Sequence, residues 1–287
     1  MKSKKIMRFK FVVMSLVITL LAISLTGCAG LFGQSRSRYA SSVVDYLYPD
    51  KEVAEVPSIP HLSLPLRVGV AFVPETGLGA MGARLSEKDK MDLMARISSE
   101  FRALPFVKDI ELIPPDYLTR AGGFRNLDQI RTMYGIDVIA LLSVDQVQYT
   151  DEGFLSLSYW TIVGAYTIKG EKNDTSTMID AVVYDIPSRK MLFRAPGTSH
   201  IKGSSTLVNL SEQLRADSLS GFHEAADKLV ANLHNELNRF KEKIKEQPES
   251  YVIAHKPGYT GGGSLGGVYG LTLLALGGFA LWHGRKK

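Results

Sequence analysis

Asp137-Val138-Ile139-Ala140-Leu141-Leu142-Ser143-Val144-Asp145-Gln146-Val147-Gln148-Tyr149 is the stretch on which the fold turns. It opens as a continuous apolar run. A strand wetted on one side alternates apolar and polar residues, whereas an unbroken run needs cover on both faces. The strand read at Asp137–Tyr149 is therefore expected at the centre of a sheet with helices packed against it.

Working outward toward the N-terminus, Asn126 opens a helix to Tyr134 that Gly135 ends. Ile110 to Ile113 reads as a short strand stopped by Pro114-Pro115. Ser86 caps a helix to about Ala103, with Asp89 as capping-box partner and Met91, Met94, Ile97 and Phe101 as its apolar stripe. Leu66 to Val73 is a strand with Val68, Val70 and Phe72 on one face. Toward the C-terminus, Leu155–Ile168 and Met178–Ile186 alternate as long strands with one wet face. Pro187-Ser188-Arg189-Lys190 then turns the chain into Met191–Ala195, making a hairpin. A helix from about Ser211 to Lys245 follows. Leu219, Phe222, Ala226, Leu229, Leu233, Leu237, Phe240 and Ile244 recur in it at spacings of three and four, a stripe that packs on the sheet.

The order β-α-β-α-β-β-β-β-α implies a single α/β domain over residues 66–245, of two or three layers, with a mixed sheet flanked by helices. Residues 28–65 carry Pro49, Pro57, Pro60 and Pro65 and read as a tether with a short docking element near Val43 to Tyr48. Residues 246–264, with Pro248, Pro257 and four glycines, read as a second linker. The topology is similar to the periplasmic domains of the curli-secretion lipoprotein, the penicillin-binding-protein activator lipoproteins and the N-terminal domain of TolB. No diagnostic motif accompanies that likeness, so it speaks to fold more than function.

The two termini carry the strongest signals. Met1 to Lys10 holds five Lys or Arg and no acid, and Phe11 to Leu25 has no charge, the pattern of a signal peptide over residues 1–27. A permanent anchor is the competing reading, but a 15-residue run is short for a span. Leu25-Thr26-Gly27-Cys28 resembles a lipobox. Small residues at Thr26 and Gly27 admit the extended backbone to signal peptidase II, and the Cys28 thiolate is nucleophilic enough to take diacylglycerol. Acyltransferases then add palmitate or a similar chain to the freed α-amino group. Cys28 is the only cysteine, so neither an internal disulfide nor a cysteine metal site is available. Ala29 follows it, and the absence of Asp at that position implies, under the Gram-negative sorting rule, an outer-membrane or surface address.

At the far end, Leu265 to His283 are 19 residues without charge, followed by Arg285-Lys286-Lys287. At a rise of 1.5 Å they span roughly 28 Å, enough for a bilayer core, and residues 284–287 form a basic cytoplasmic tail. Gly261-Gly262-Gly263-Ser264 lies directly before the span. The segment resembles a GlyGly-CTERM signal, which implies recognition by rhombosortase, an intramembrane protease. Glycine weakens the helix by about 1 kcal/mol per residue, which suits a protease that must unwind its substrate. A lasting anchor with a glycine spacer is the alternative. Together, lipobox and GlyGly-CTERM resemble the rhombotarget lipoprotein family, with Ser41 to Pro49 similar to its segment next to the lipid. That family is defined by processing, and it implies a precursor in the inner membrane facing the periplasm and a mature form held by lipid.

Net charge misleads until the targeting segments are removed. The whole chain is +5; without residues 1–27 and 264–287 it is 26 basic against 29 acidic groups, or −3. Nothing then points to nucleic acid. Gly77-Leu78-Gly79-Ala80-Met81-Gly82 fits G-x-G-x-x-G, but the helix begins only at Ser86, so a glycine loop is expected and no cofactor. Gly262-Gly263-Ser264-Leu265-Gly266 fits the nucleophile elbow formally, without the strand and helix an elbow needs. His61, His200, His223, His234, His255 and His283 have no metal-ligand spacing; His223 and His234 lie about 16 Å apart along one helix. Asp151-Glu152 reads as a loop pair without a partner. Two functions remain: a non-enzymatic envelope lipoprotein whose domain binds an unidentified envelope protein, and an envelope hydrolase whose residues meet only in the fold. A deep pocket favours the second, a groove or free strand edge the first.

Overall fold

The computed structural model describes residues 34–49, 58–75, 85–152, 171–205 and 209–259. Along them run β1 (Gln34–Ala40), α1 (Val43–Leu47), β2 (His61–Leu64), β3 (Leu66–Phe72), α2 (Glu87–Phe101), β4 (Val107–Leu112), α3 (Gly123–Tyr134) and β5 (Val138–Glu152). They continue as β6 (Glu171–Asp185), β7 (Lys190–Ser205), α4 (Leu210–Glu246) and β8 (Val252–His255). The domain is α/β, with a mixed sheet in the order β4-β3-β5-β6-β7 and β1 also on β5.

β5 is the centre, as its apolar run demands. Val138, Ala140, Leu142 and Val144 face α2 and α4, in one core with Met94, Phe222 and Leu229. Ile139 and Leu141 face α1 and α3, in a second core with Tyr46, Leu127 and Ile130. The sheet is thus the middle of three layers. On one side of β5, β3 pairs in parallel with Val138–Leu142 and β1 pairs antiparallel with Asp145–Asp151, so two strands share that side end to end. On its other side β6 runs antiparallel over the full length, and β7 against β6.

Several local readings hold. Ser86 caps α2 with the Asp89 capping box, and Gly135 closes α3 in the left-handed region at φ 63°. The Asp185–Lys190 turn joins β6 to β7. Others move. β7 runs to Ser205, ten residues past Ala195, because alternation continues through Pro196 and Gly197. α3 begins at Gly123, and Asn126 sits inside it, buried, with its Oδ1 accepting from the Tyr46 hydroxyl at 2.8 Å. Leu219 of the α4 stripe is exposed, and the buried line shifts to Ser218 and Gly221.

Much of the sequence read as linker is structured: Gln34–Ala40 is a strand of the main sheet, and Val43–Leu47 is a helix whose Val43, Tyr46 and Leu47 are buried. β2 and β8 pair in parallel. Lys256, just beyond β8, reaches Asp137 at the start of β5 at 3.3 Å. The expected strand at 155–168, the Gly77–Gly82 loop and the span at 265–283 lie outside the described residues. Among the described residues no helix is long and apolar enough to cross a membrane.

Candidate functional site

From Asp145 onward β5 changes character, and with it the sheet gains two unlike faces. Gln146, Gln148 and Thr150 are buried under α4. Gln146 Nε2 donates to Thr177 Oγ1 at 2.8 Å and to the Ser218 carbonyl at 3.0 Å, while the Ser218 hydroxyl donates back to Gln146 Oε1. Gln148 repeats the pattern one step on, with Thr175 Oγ1 at 3.1 Å and the Leu214 carbonyl at 2.8 Å. Beyond it Asn173 donates to Asp217, which takes a second bond from Gln213. Gln146 finds both donor and acceptor partners here, and Gln148 donates to both sheet and helix, so this polar layer sets the register of α4, although the Asn173 Oδ1 at its end is buried without a partner. Glycines let the layers close: a Cβ on Gly221 would lie 2.8 Å from Thr177 Oγ1, and one on Gly197 would meet the backbone of Ala225 and Leu229.

The opposite face of the same strands is wet and charged. Arg36, Arg38, Met178, Thr198, His200 and Lys202 are exposed on it, and Tyr149 keeps 44% of its surface in solvent. Arg38 grips Asp145 with two bonds, Nε to Oδ1 at 2.9 Å and Nη2 to Oδ2 at 2.6 Å. Arg194 Nε meets both oxygens of Asp180 at 2.8 and 2.7 Å. Burial pushes the Asp180 carboxyl above its ordinary value, against the pull of Arg194. The Arg36 guanidinium lies 5.4 Å from the centre of the Tyr149 ring. The exposed Arg38–Asp145 pair contributes only about 0–1 kcal/mol to stability. The stronger consequence of these pairs is a patterned charge that selects and orients whatever approaches.

The face ends at β7, sixteen residues long, which among the described residues pairs with β6 alone. Its outward N–H and C=O groups can accept another strand.

Ser176, His200 and Asp174 come together on this face, a grouping that spacing alone did not disclose. His200 Nδ1 is 3.0 Å from Ser176 Oγ and 3.2 Å from Asp174 Oδ1. One ring nitrogen meets both groups. A nucleophile relay needs the hydroxyl and the carboxylate on different nitrogens, so this trio is a cross-strand tie and not a triad. Two open depressions, one beside Ser98, Ser99 and Arg102 and the other beside Asp116, Arg125 and Asn126, bring no nucleophile to a general base.

The remaining sequence candidates separate. His234 stacks on Phe101 with ring centres 4.5 Å apart, and His223 lies edge-on to Phe222, so each packs on an aromatic ring of the α2–α4 layer. Among the described residues no cluster of His, Cys, Asp and Glu could hold a metal. Asp151 and Glu152 stand within β5, opposite Lys172 and Glu171, and not in a loop. Leu25, Thr26, Gly27 and Cys28, Gly261 to Ser264 and Arg285 to Lys287 all lie outside the described residues.

No protein-family model matches the chain, and no curated protein matches it. Among solved structures it is similar to a PelC dodecamer from Paraburkholderia phytofirmans, at 14% identity and a TM-score of 0.28, over 57% of this chain and 93% of that one. A TM-score that low does not establish a shared fold.

Proposed function

We propose that the chain is an exported bacterial lipoprotein, acylated at Cys28 and trimmed near Gly261 to Ser264 by rhombosortase, whose α/β domain binds another envelope protein without catalysing a reaction. Its precursor sits in the inner membrane facing the periplasm, and its mature form is lipid-anchored at the outer membrane or cell surface. The terminal motifs support the processing. The binding role is carried by one observation, the long β7 edge that has no partner among the described residues beyond β6. It borders the charged face of Arg38–Asp145 and Arg194–Asp180. A partner strand added there gains main-chain hydrogen bonds, and the alternating side chains select it.

Photo-crosslinking in living cells tests the role. A crosslinking residue at Thr198, exposed on β7, should capture one discrete envelope protein, and the same group at Met133, exposed on α3, should not. Identical capture at both positions, or none at Thr198, contradicts it.

A further inference from the structure

The two ends through which the chain reaches a membrane leave the domain from opposite ends of β5. Gln34, the start of β1, pairs with Asp151 near the last residue of that strand. The route from Cys28 therefore enters at what can be called the lipid end. The other route leaves elsewhere. Lys256 donates to the Pro65 carbonyl and to Asp137 Oδ2, each at 3.3 Å, and Asp137 precedes the first residue of β5. The Lys256 amide also donates to the Leu64 carbonyl at 2.8 Å, and Tyr259 N donates to the Lys256 carbonyl at 3.1 Å. Tyr259 is thus fixed at the tail end. Fourteen steps of about 3.3 Å separate Val138 from Glu152, so the two exits stand roughly 45 Å apart along the strand.

The chain between each exit and its membrane segment is short. Cys28 is six residues before Gln34, and Leu265 is six residues after Tyr259. Six residues reach at most about 20 Å even when fully extended. A domain standing upright on its lipid end would hold Tyr259 roughly 45 Å from the bilayer, beyond that reach. We infer that the domain lies along the membrane while both ends are attached, and that removal of the C-terminal segment frees the tail end to swing outward on the lipid alone. The inference rests on the processing proposed above. It makes the protease step a change of presentation: the Asp137 end, ringed by Lys256, Arg67 and Arg131, leaves the membrane surface when the tail is cut.

Because Cys28 is the only cysteine and its sulfur is blocked by lipid, one introduced cysteine takes one dye. The full chain carries Lys202→Cys for the lipid end or Glu249→Cys for the tail end, both exposed sites. Energy transfer to a headgroup dye is read in membranes from cells with and without active rhombosortase, with intact mass measured on each sample. The expected result is strong transfer at both sites in the uncut protein. In the cut protein, transfer at Glu249→Cys falls about twofold or more, as a separation of tens of ångströms requires, while Lys202→Cys is unchanged. If the mass shows the tail removed and transfer at Glu249→Cys stays the same, the inference is overturned while the processing stands. A mass that still includes residues 265–287 in cells with the active protease overturns the processing and the inference together.

Discussion

Ser41 and Val144 bind each other twice: Ser41 N donates to the Val144 carbonyl at 2.7 Å, and Val144 N donates to Ser41 Oγ at 2.9 Å. The pair sits where β5 exchanges one neighbour for another. Val73 N donates to the Leu142 carbonyl at the end of β3, and three residues on, at Asp145, β1 takes over. A serine hydroxyl supplies the acceptor that neither strand can offer at the junction. Ser41→Ala would leave the buried Val144 N–H without a partner and should cost about 1–3 kcal/mol, read as a lower denaturant midpoint with an unchanged slope.

Val43, Tyr46 and Leu47 are buried against Leu127 and Ile130, and each such side chain contributes roughly 1.5–3 kcal/mol. Together they approach the whole stability of an ordinary domain, about 5–15 kcal/mol. A fragment covering 34–259 should therefore unfold in one cooperative thermal transition. A fragment covering 66–245, the unit suggested by the linker-like composition of its flanks, should melt far lower or without a transition.

Close approach of α4 to the sheet makes a third test. A methyl on Gly197 would collide with the Ala225 carbonyl and the Leu229 amide, groups that cannot rotate away. One on Gly221 meets the hydroxyls of Thr177 and Ser199 at 2.8 and 3.3 Å, and those can shift. Overpacking costs about 1–3 kcal/mol where neighbours give and more where they do not. Gly197→Ala should lower the melting temperature further than Gly221→Ala.

Asp185 carries a pH dependence. Burial raises its carboxyl above the ordinary 3.8, Ser188 pulls it down through its N–H at 3.0 Å, and Asp137 adds to the rise. The folded carboxyl therefore holds its proton at pH values where the unfolded one has lost it. Stability then declines as pH rises from 3.8 through the raised folded value, and levels off above it. Asp185→Asn should flatten that decline in denaturant unfolding followed across the acid range. A smaller slope should remain, because Asp180 is shifted the same way.

The apolar run at Val138–Leu142 disclosed the centre of the sheet because cover on two faces leaves no room for polar residues. The capping signals at Ser86 and Gly135 were equally local and equally legible. Gln34–Ala40 was not, since Gln-Ser-Arg-Ser-Arg-Tyr-Ala has no apolar alternation: its outward side chains are Arg36 and Arg38, and its hold on the sheet is main-chain pairing. The bonds that join Gln146, Gln148, Thr175 and Thr177 to α4 were not legible either, because a buried amide and an exposed one look alike until a partner such as Leu214 O is in place. The edge of β7 and the Ser176–His200–Asp174 tie join residues whose neighbourhood depends on strand register, which composition does not carry.

Intact-mass measurement of the protein purified from membranes, compared between cells with and without active rhombosortase, reads the processing of both termini at once. The expected chain begins at a lipid-modified Cys28 and ends near Gly261 to Ser264 when the protease is active, and retains Arg285-Lys286-Lys287 when it is not. A chain that begins at Met1, or that keeps those three residues in the presence of the active protease, would contradict that processing.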